Sequence, residues 1–401
     1  MHYKSAFISL ALVGLVVSQP IGSQSPKDYV VVWHESTTPE ERSKHIHMLS
    51  KRDSSANIKG HFTIGNSVGI HGEFTPDLVN ALSLHPAVDI VEPDTLEYGQ
   101  QTLYTQNEAP WGLSRISHLQ FAPNNTYGNG EYLFLSGNGE HTTVYILDTG
   151  IRTTHVEFAN RIRWGQNFVD DINDDENGHG THVAGTAAGS SVGVAKYADI
   201  VAVKILNADQ TGTLSNFLKA MSWIVDDYKQ QIASNSTSHA VINYSAIGET
   251  SDARDKAIGA AIDAGIFFVG ASGNKEENAC DFGPPNFGPN RKGQLIVAAL
   301  NSTDEPASFT NYGPCIDVYA PGVEVRSSLN NSDTDYGLMS GSSMAAPHVA
   351  GLVAYYWSLN QSFSMDEISA LIKNSNAGSV LNNFPDTVSN IAFNMANITQ
   401  N

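Results

Sequence analysis

Five short apolar runs, at 144–147, 200–203, 240–242, 266–269 and 295–298, limit what this chain can fold into more than any other feature. A strand that exposes one face alternates apolar and polar residues, whereas runs this continuous belong to strands covered on both faces. Between them, 216–228 and 251–264 carry helical periodicity. The alternation predicts an α/β domain built on a doubly wound parallel sheet, in which functional residues gather at the carboxyl ends of strands.

The chain ahead of this region follows another plan. Residues 29–33, 61–64, 68–71 and 88–91 look like strands, and Thr38-Pro39 and Thr75-Pro76 each open a helix with a capping threonine and a proline at its first position. The order β-α-β-β-α-β predicts a small α+β ferredoxin-like domain over 26–100, with the larger domain at 109–401. Glu92-Pro93-Asp94 begins a polar stretch to about Glu108 that reads as an exposed, cleavable linker. At the start, Lys4, an apolar stretch from Ala6 to Val17 and then small polar residues follow the order of a secretory signal over 1–18, with its end as late as about 25. That run is too short to cross a bilayer, and no later segment is long and uncharged enough to do so. A secreted, extracellular protein is expected.

Composition narrows the partners. Forty-one acidic against 22 basic side chains give a net charge of −19, a field that repels nucleic acid and anionic membranes. Cys280 and Cys315 are the only cysteines, which excludes a disulfide-rich scaffold and any zinc site with several thiolate ligands.

Three segments fall where such a sheet places a site. Asp148-Thr149-Gly150 directly follows the first apolar run, which puts a carboxylate at a strand end. Aspartic peptidases need two such carboxylates, and no second Asp-Thr-Gly occurs. Gly178-His179-Gly180-Thr181-His182 opens a helix of small residues; the pair of histidines lacks the intervening glutamate of a zincin. Gly341-Ser342-Ser343-Met344-Ala345 puts a serine at the start of a long apolar helix, where free N–H groups and the positive dipole end favour a developing oxyanion. Alone, that serine reads equally well as a simple helix cap. Together the segments supply what a serine nucleophile needs: an imidazole to take its proton, and a carboxylate to fix the imidazole's tautomer.

With these motifs in the order Asp148, His179, Ser343, the chain from Ala109-Pro110-Trp111-Gly112-Leu113 onward resembles the subtilisin superfamily, and within it the proteinase K family of secreted fungal enzymes. The unit before it resembles their inhibitory propeptide. The resemblance implies a secreted serine endopeptidase with Asp148, His179 and Ser343 as its triad. A monomer acting on protein and peptide substrates is expected, with its own propeptide as inhibitor until cut between about Thr95 and Thr105. It further implies Asn274 as the oxyanion-hole amide beside the Ser343 N–H, and substrate contacts from Gln210, Thr211 and Gly212, from Ser245, Ala246 and Ile247, and from Ala271, Ser272 and Gly273. No cofactor is implied for the chemistry. A structural calcium is, held by Asp317 with backbone carbonyls near Lys292 and Gln294, and so is a disulfide between Cys280 and Cys315, as in aqualysin-like relatives.

Ala246 and Ile247 depart from the family's Ser-Leu-Gly. A β-branched residue where the family has glycine, at a position expected to need positive φ, predicts altered docking; the alternative reading is an impaired scaffold used as a binding protein. Glycan acceptor sequons begin at Asn124, Asn235, Asn301, Asn330, Asn360 and Asn397. A further sequon at Asn243 lies in the expected substrate segment and is discounted.

Overall fold

The computed structural model describes residues 27–52, 56–94, 102–119, 130–235, 238–287, 291–373, 378–381 and 383–396. The expected signal, Asn124 and Asn397 lie outside them. The chain divides into two compact units, the first ending at Gly99 and the second beginning at Gln100.

In the first unit, β1 (Lys27–Trp33), α1 (Pro39–Arg52), β2 (Asn57–Ile64), β3 (Ser67–Phe74), α2 (Pro76–Ser83) and β4 (Val88–Pro93) form an antiparallel sheet of order β2-β3-β1-β4 with two helices. This is the ferredoxin-like order. Thr38 and Glu41 close a capping box: the Thr38 N–H donates to Glu41 Oε2 at 2.8 Å and the Glu41 N–H to Thr38 Oγ1 at 3.3 Å. Val31, Trp33, Ile70, Phe74, Leu78 and Leu82 form its core.

The second unit opens with β5 (Leu103–Ala109), α3 (Trp111–Arg115) and β6 (Gly130–Leu135), and β5 pairs antiparallel with β6. The expected linker is therefore shorter than the sequence suggested. At one end β4 runs to Pro93; at the other, β5 is a strand despite its polar residues, because most of its side chains face outward and Leu103 and Ala109 reach the core.

Next come β7 (Thr142–Asp148), β8 (Ile162–Asn167), α4 (His179–Ala188), β9 (Asp199–Lys204), α5 (Leu214–Ser234), β10 (His239–Tyr244), α6 (Asp252–Asp263), β11 (Ile266–Ala271), β12 (Gln294–Leu300) and β13 (Val318–Pro321). The chain ends with a hairpin of β14 (Val325–Ser328) and β15 (Tyr336–Met339), then α7 (Ser342–Leu359) and α8 (Met365–Lys373). The main sheet has seven parallel strands in the order β13-β12-β11-β10-β7-β9-β8. Alternation along β7 shows why its run is continuous. Val144 and Ile146 enter one cluster with residues of α4 and α7, while Tyr145 and Leu147 enter another with residues of α5 and α6. The two strands of this sheet not foreseen, β8 and β13, are its edges: β8 is polar and partly exposed, while β13 is fully buried but only four residues long.

From β7 the chain moves to one side of the sheet through β8 and β9, then returns to the other side with β10. The crevice at this reversal, at the carboxyl ends of β7 and β10, is where an open α/β sheet offers a binding site.

Candidate active site

Asp148 is the last residue of β7 and is fully buried. Its Oδ1 accepts the Thr149 N–H at 2.8 Å and faces His179 Nδ1 at 2.7 Å. His179 is the first residue of α4, entered through Gly178 at φ 103°, a left-handed turn that suits glycine. The imidazole therefore stands at the helix entrance with its second nitrogen available to the crevice. Burial opposes charge on this ring, but the Asp148 carboxylate, through its field and its hydrogen bond, together with Asp175, holds the His179 pKa above the ordinary imidazole value.

Asp175 went unremarked in the sequence. Its buried carboxylate accepts from the Asn177 and Gly178 N–H groups, the Thr181 N–H and hydroxyl, and the Thr149 hydroxyl, all at 2.6–3.1 Å. Thr149 Oγ1 in turn accepts the Gly180 N–H at 3.0 Å. This clamp ties the turn after Asp148 to the first turn of α4, so the relative positions of Asp148 and His179 are set by a side chain that touches neither. A carboxylate four residues ahead of a Gly-His-Gly helix start was the available signal.

Ser343 is the second residue of α7 and is 9% exposed. Its hydroxyl donates to the Ser245 carbonyl at 3.0 Å, and the Ser245 hydroxyl donates back to the Ser343 carbonyl at 3.0 Å. In this resting arrangement the nucleophile candidate is turned toward Ser245; catalytic hydrogen bonds are often long or misaligned without substrate and tighten only in its complex. Asn274 follows β11. Its Oδ1 accepts the Ser342 N–H at 2.8 Å, which fixes the amide and leaves Nδ2 as its outward donor, on the side of Gly341. Ser342 Oγ accepts the Gly273 N–H at 3.0 Å, locking the same two segments a second time.

The expected substrate segments flank this group. Gln210, Thr211 and Gly212 lie exposed beyond β9, and Gln210 Nε2 donates to Asn177 Oδ1 at 2.9 Å, two residues before His179. Ser245, Ala246 and Ile247 continue β10; Ala271 ends β11, and Ser272 and Gly273 lead to Asn274. One expectation is corrected. Ile247 is not among the residues with positive φ, so its branched side chain imposes no backbone strain, and that ground for altered docking falls away. Asn243 is fully buried, and its Nδ2 donates to Ser245 Oγ at 2.9 Å, an internal role. Of the sequons, Asn235 is exposed, and Asn301, Asn330 and Asn360 are half-buried.

Cys280 and Cys315 are joined by a disulfide. Asp317, two residues on, is 2% exposed; its Oδ2 accepts the Ile296 N–H at 2.9 Å and its Oδ1 meets the Lys373 ammonium at 2.9 Å. These residues do not fit a calcium ion, because the one carboxylate is already neutralised by an internal cation. Among the described residues, no group of three or more acidic, histidine or cysteine side chains could hold a metal. We expect a chelator to leave the thermal midpoint of the wild-type protein in place. Lys373→Met, which strands a buried carboxylate, should cost roughly 3 kcal/mol in denaturant unfolding. An unshifted Lys373→Met midpoint together with a chelator-sensitive wild type would contradict this.

Comparison with known proteins places this geometry. Residues 139–392 match the model of the subtilase family, Peptidase_S8. The chain is 35% identical over 369 residues to "Subtilisin-like serine protease Pen ch 18" of Penicillium rubens, covering 86% of this chain and 73% of the relative. It is 38% identical over 332 residues to the "Sexual differentiation process putative subtilase-type proteinase isp6" of Schizosaccharomyces pombe, covering 82% and 68%. Among solved structures, "a cold adapted subtilisin-like serine proteinase" superposes with a TM-score of 0.60 at 34% identity, over 72% of this chain and 98% of that one.

Proposed function

The chain belongs to the subtilase family of serine endopeptidases, and on that premise we propose that it cleaves proteins through Asp148, His179 and Ser343 by way of an acyl-enzyme. The observation that carries the assignment is the 2.7 Å contact between His179 Nδ1 and the fully buried Asp148 carboxylate. It fixes the tautomer with Nε2 free to accept a proton.

In this reading, Ser343 Oγ turns from Ser245 toward His179, loses its proton to Nε2 and bonds to the scissile carbonyl carbon. The resulting oxyanion is held by Asn274 Nδ2 and the Ser343 N–H at the positive end of α7, each such donor supplying about 3 kcal/mol. The imidazolium returns its proton to the leaving amine, and the C–N bond breaks. Water then enters, gives a proton to the same nitrogen and splits the ester, regenerating Ser343 and releasing the acid. The substrate backbone is read as an added strand between Gln210–Thr211–Gly212 and Ser245–Ala246–Ile247, a mode that relies on main-chain groups and so tolerates many sequences.

We further assign the first unit as an inhibitory propeptide of a secreted zymogen. Its fold is the expected one, and the order of residues 1–25 supports export. Because Leu103, Tyr104 and Thr105 pair with β6, the maturation cut belongs ahead of Leu103.

One experiment tests the proposal: reaction of the protein secreted by its host with a serine-directed phosphonate, followed by peptide mapping. The adduct is expected on Ser343, in a chain whose N-terminus lies past Asp94. No adduct on a correctly trimmed chain would overturn the peptidase reading; a chain still beginning before Tyr29 would overturn the zymogen.

A further inference from the structure

Ile247 is a half-buried apolar side chain that, unlike its neighbour Ala246, belongs to no hydrophobic cluster among the described residues. Its environment shows what it does instead. A Cβ placed on Gly273 would stand 2.8 Å from Ile247 Cδ1, so the isoleucine reaches across from the β10 extension and touches the β11 extension beside Asn274. It is also held at both ends. Two residues before it, Ser245 exchanges hydrogen bonds with Ser343; the residue after it, Gly248, is paired with Gly283 through two backbone bonds of 2.9 Å. The Arg254 guanidinium lies against both glycines, within 2.7 Å of where their Cβ atoms would be, and donates to the Glu249 carbonyl, so it packs closely over this pairing.

The position of this contact has a consequence for substrate. Attack requires the scissile carbonyl carbon at Ser343 Oγ and its oxygen toward Asn274 Nδ2. The side chain on the adjoining acyl-side Cα must then enter the slot between the two extensions, because one carries Ser245 and the other Gly273-Asn274. Ile247 already spans that slot.

We infer that Ile247 is the specificity-determining residue of this site, restricting the acyl-side residue at the scissile bond to glycine or alanine and excluding aromatic and long aliphatic side chains. This rests on the peptidase reading above. It makes the enzyme narrow at one subsite even though backbone-mediated docking tolerates variety elsewhere. Apolar pockets discriminate by about 10–200-fold per group misfitted, and a benzyl group exceeds the room left by much more than one methylene.

The test compares peptidyl nitroanilides that differ only in the residue at the bond, Ala against Phe, on mature wild-type enzyme and on Ile247→Ala and Ile247→Val. Active sites are titrated with diisopropyl fluorophosphate, which carries no side chain for the slot. For wild type we expect kcat/KM for Ala to exceed that for Phe by at least tenfold. For Ile247→Ala the Phe-to-Ala ratio of kcat/KM should rise at least tenfold over wild type, with Ile247→Val intermediate. Equal cleavage of Ala and Phe by wild type overturns the inference without any variant needing to fold. A titratable Ile247→Ala enzyme with the wild-type ratio also overturns it, as does titratable wild type that cleaves neither peptide. Failure of wild type to titrate at all overturns the peptidase reading itself, and this inference with it.

Discussion

Ser343→Ala is expected to lower kcat on a good peptide substrate by on the order of 10⁶-fold and to abolish phosphonate labelling. The reason lies in how little else the substitution changes. Ser343 is the second residue of a helix buried from Ser342 to Trp357, and alanine keeps both its helical conformation and its N–H. The Asn274 amide stays locked by Ser342, and the Ser245 hydroxyl still reaches the residue 343 carbonyl. What is lost is the nucleophile and one hydrogen bond to Ser245, worth about 1 kcal/mol of stability. The variant should therefore melt close to wild type, and any residual rate should reflect binding and the oxyanion donors alone. Purified Ser343→Ala that keeps more than about one thousandth of the wild-type kcat would place the nucleophile elsewhere.

Asp148→Asn should cost about 10⁴-fold in kcat, and it should do so with a signature in pH. The base must be neutral to accept the Ser343 proton, so activity is lost as pH falls through the His179 pKa. In wild type the acid limb of kcat/KM is expected above the unperturbed imidazole value of about 6.5, because Asp148 outweighs the burial that opposes charge. Asparagine removes that charge, leaves burial opposed by Asp175 alone and can present its NH₂ to Nδ1, which puts the proton on the wrong nitrogen. The limb of the residual activity should move to lower pH as the rate falls. A rate loss with an unmoved limb would mean that Asp148 acts on His179 by shape alone.

The residues proposed for catalysis stand out in the sequence because each sits at a local landmark: Asp148 ends an apolar run, His179 opens a small-residue helix, and Ser343 begins an apolar one. The double-sided pattern of β7, β9, β10, β11 and β12 was legible for the same reason, since burial on both faces leaves a mark within a few residues. What escaped was fixed by distant partners. Asp175 looks like one more acid in a run of acids until the fold brings Thr149 and Thr181 to it. Asp317 looks like a cation ligand until α8 delivers Lys373 from 56 positions away. Edge strand β8 is polar and only partly buried, and β13, though buried on both faces, is a four-residue run ending in proline, too short to leave a clear mark. Ile247 was visible as an oddity, but its meaning depended on what lay opposite, and a sequence does not show that Gly273 faces it.

The bonds that assemble the site join residues 31, 68 and 98 positions apart, between His179 and Asp148, Ser342 and Asn274, and Ser343 and Ser245. Contacts over such separations close long loops, at an entropic cost that must be met before they reward the chain. A partly folded molecule is thus harmless, since it lacks the reciprocal Ser245–Ser343 bonds, yet it exposes the segments a peptidase digests. A chain that has not closed these loops carries the three candidate residues without the site, so competence to cut is a property of the completed fold rather than of any one segment.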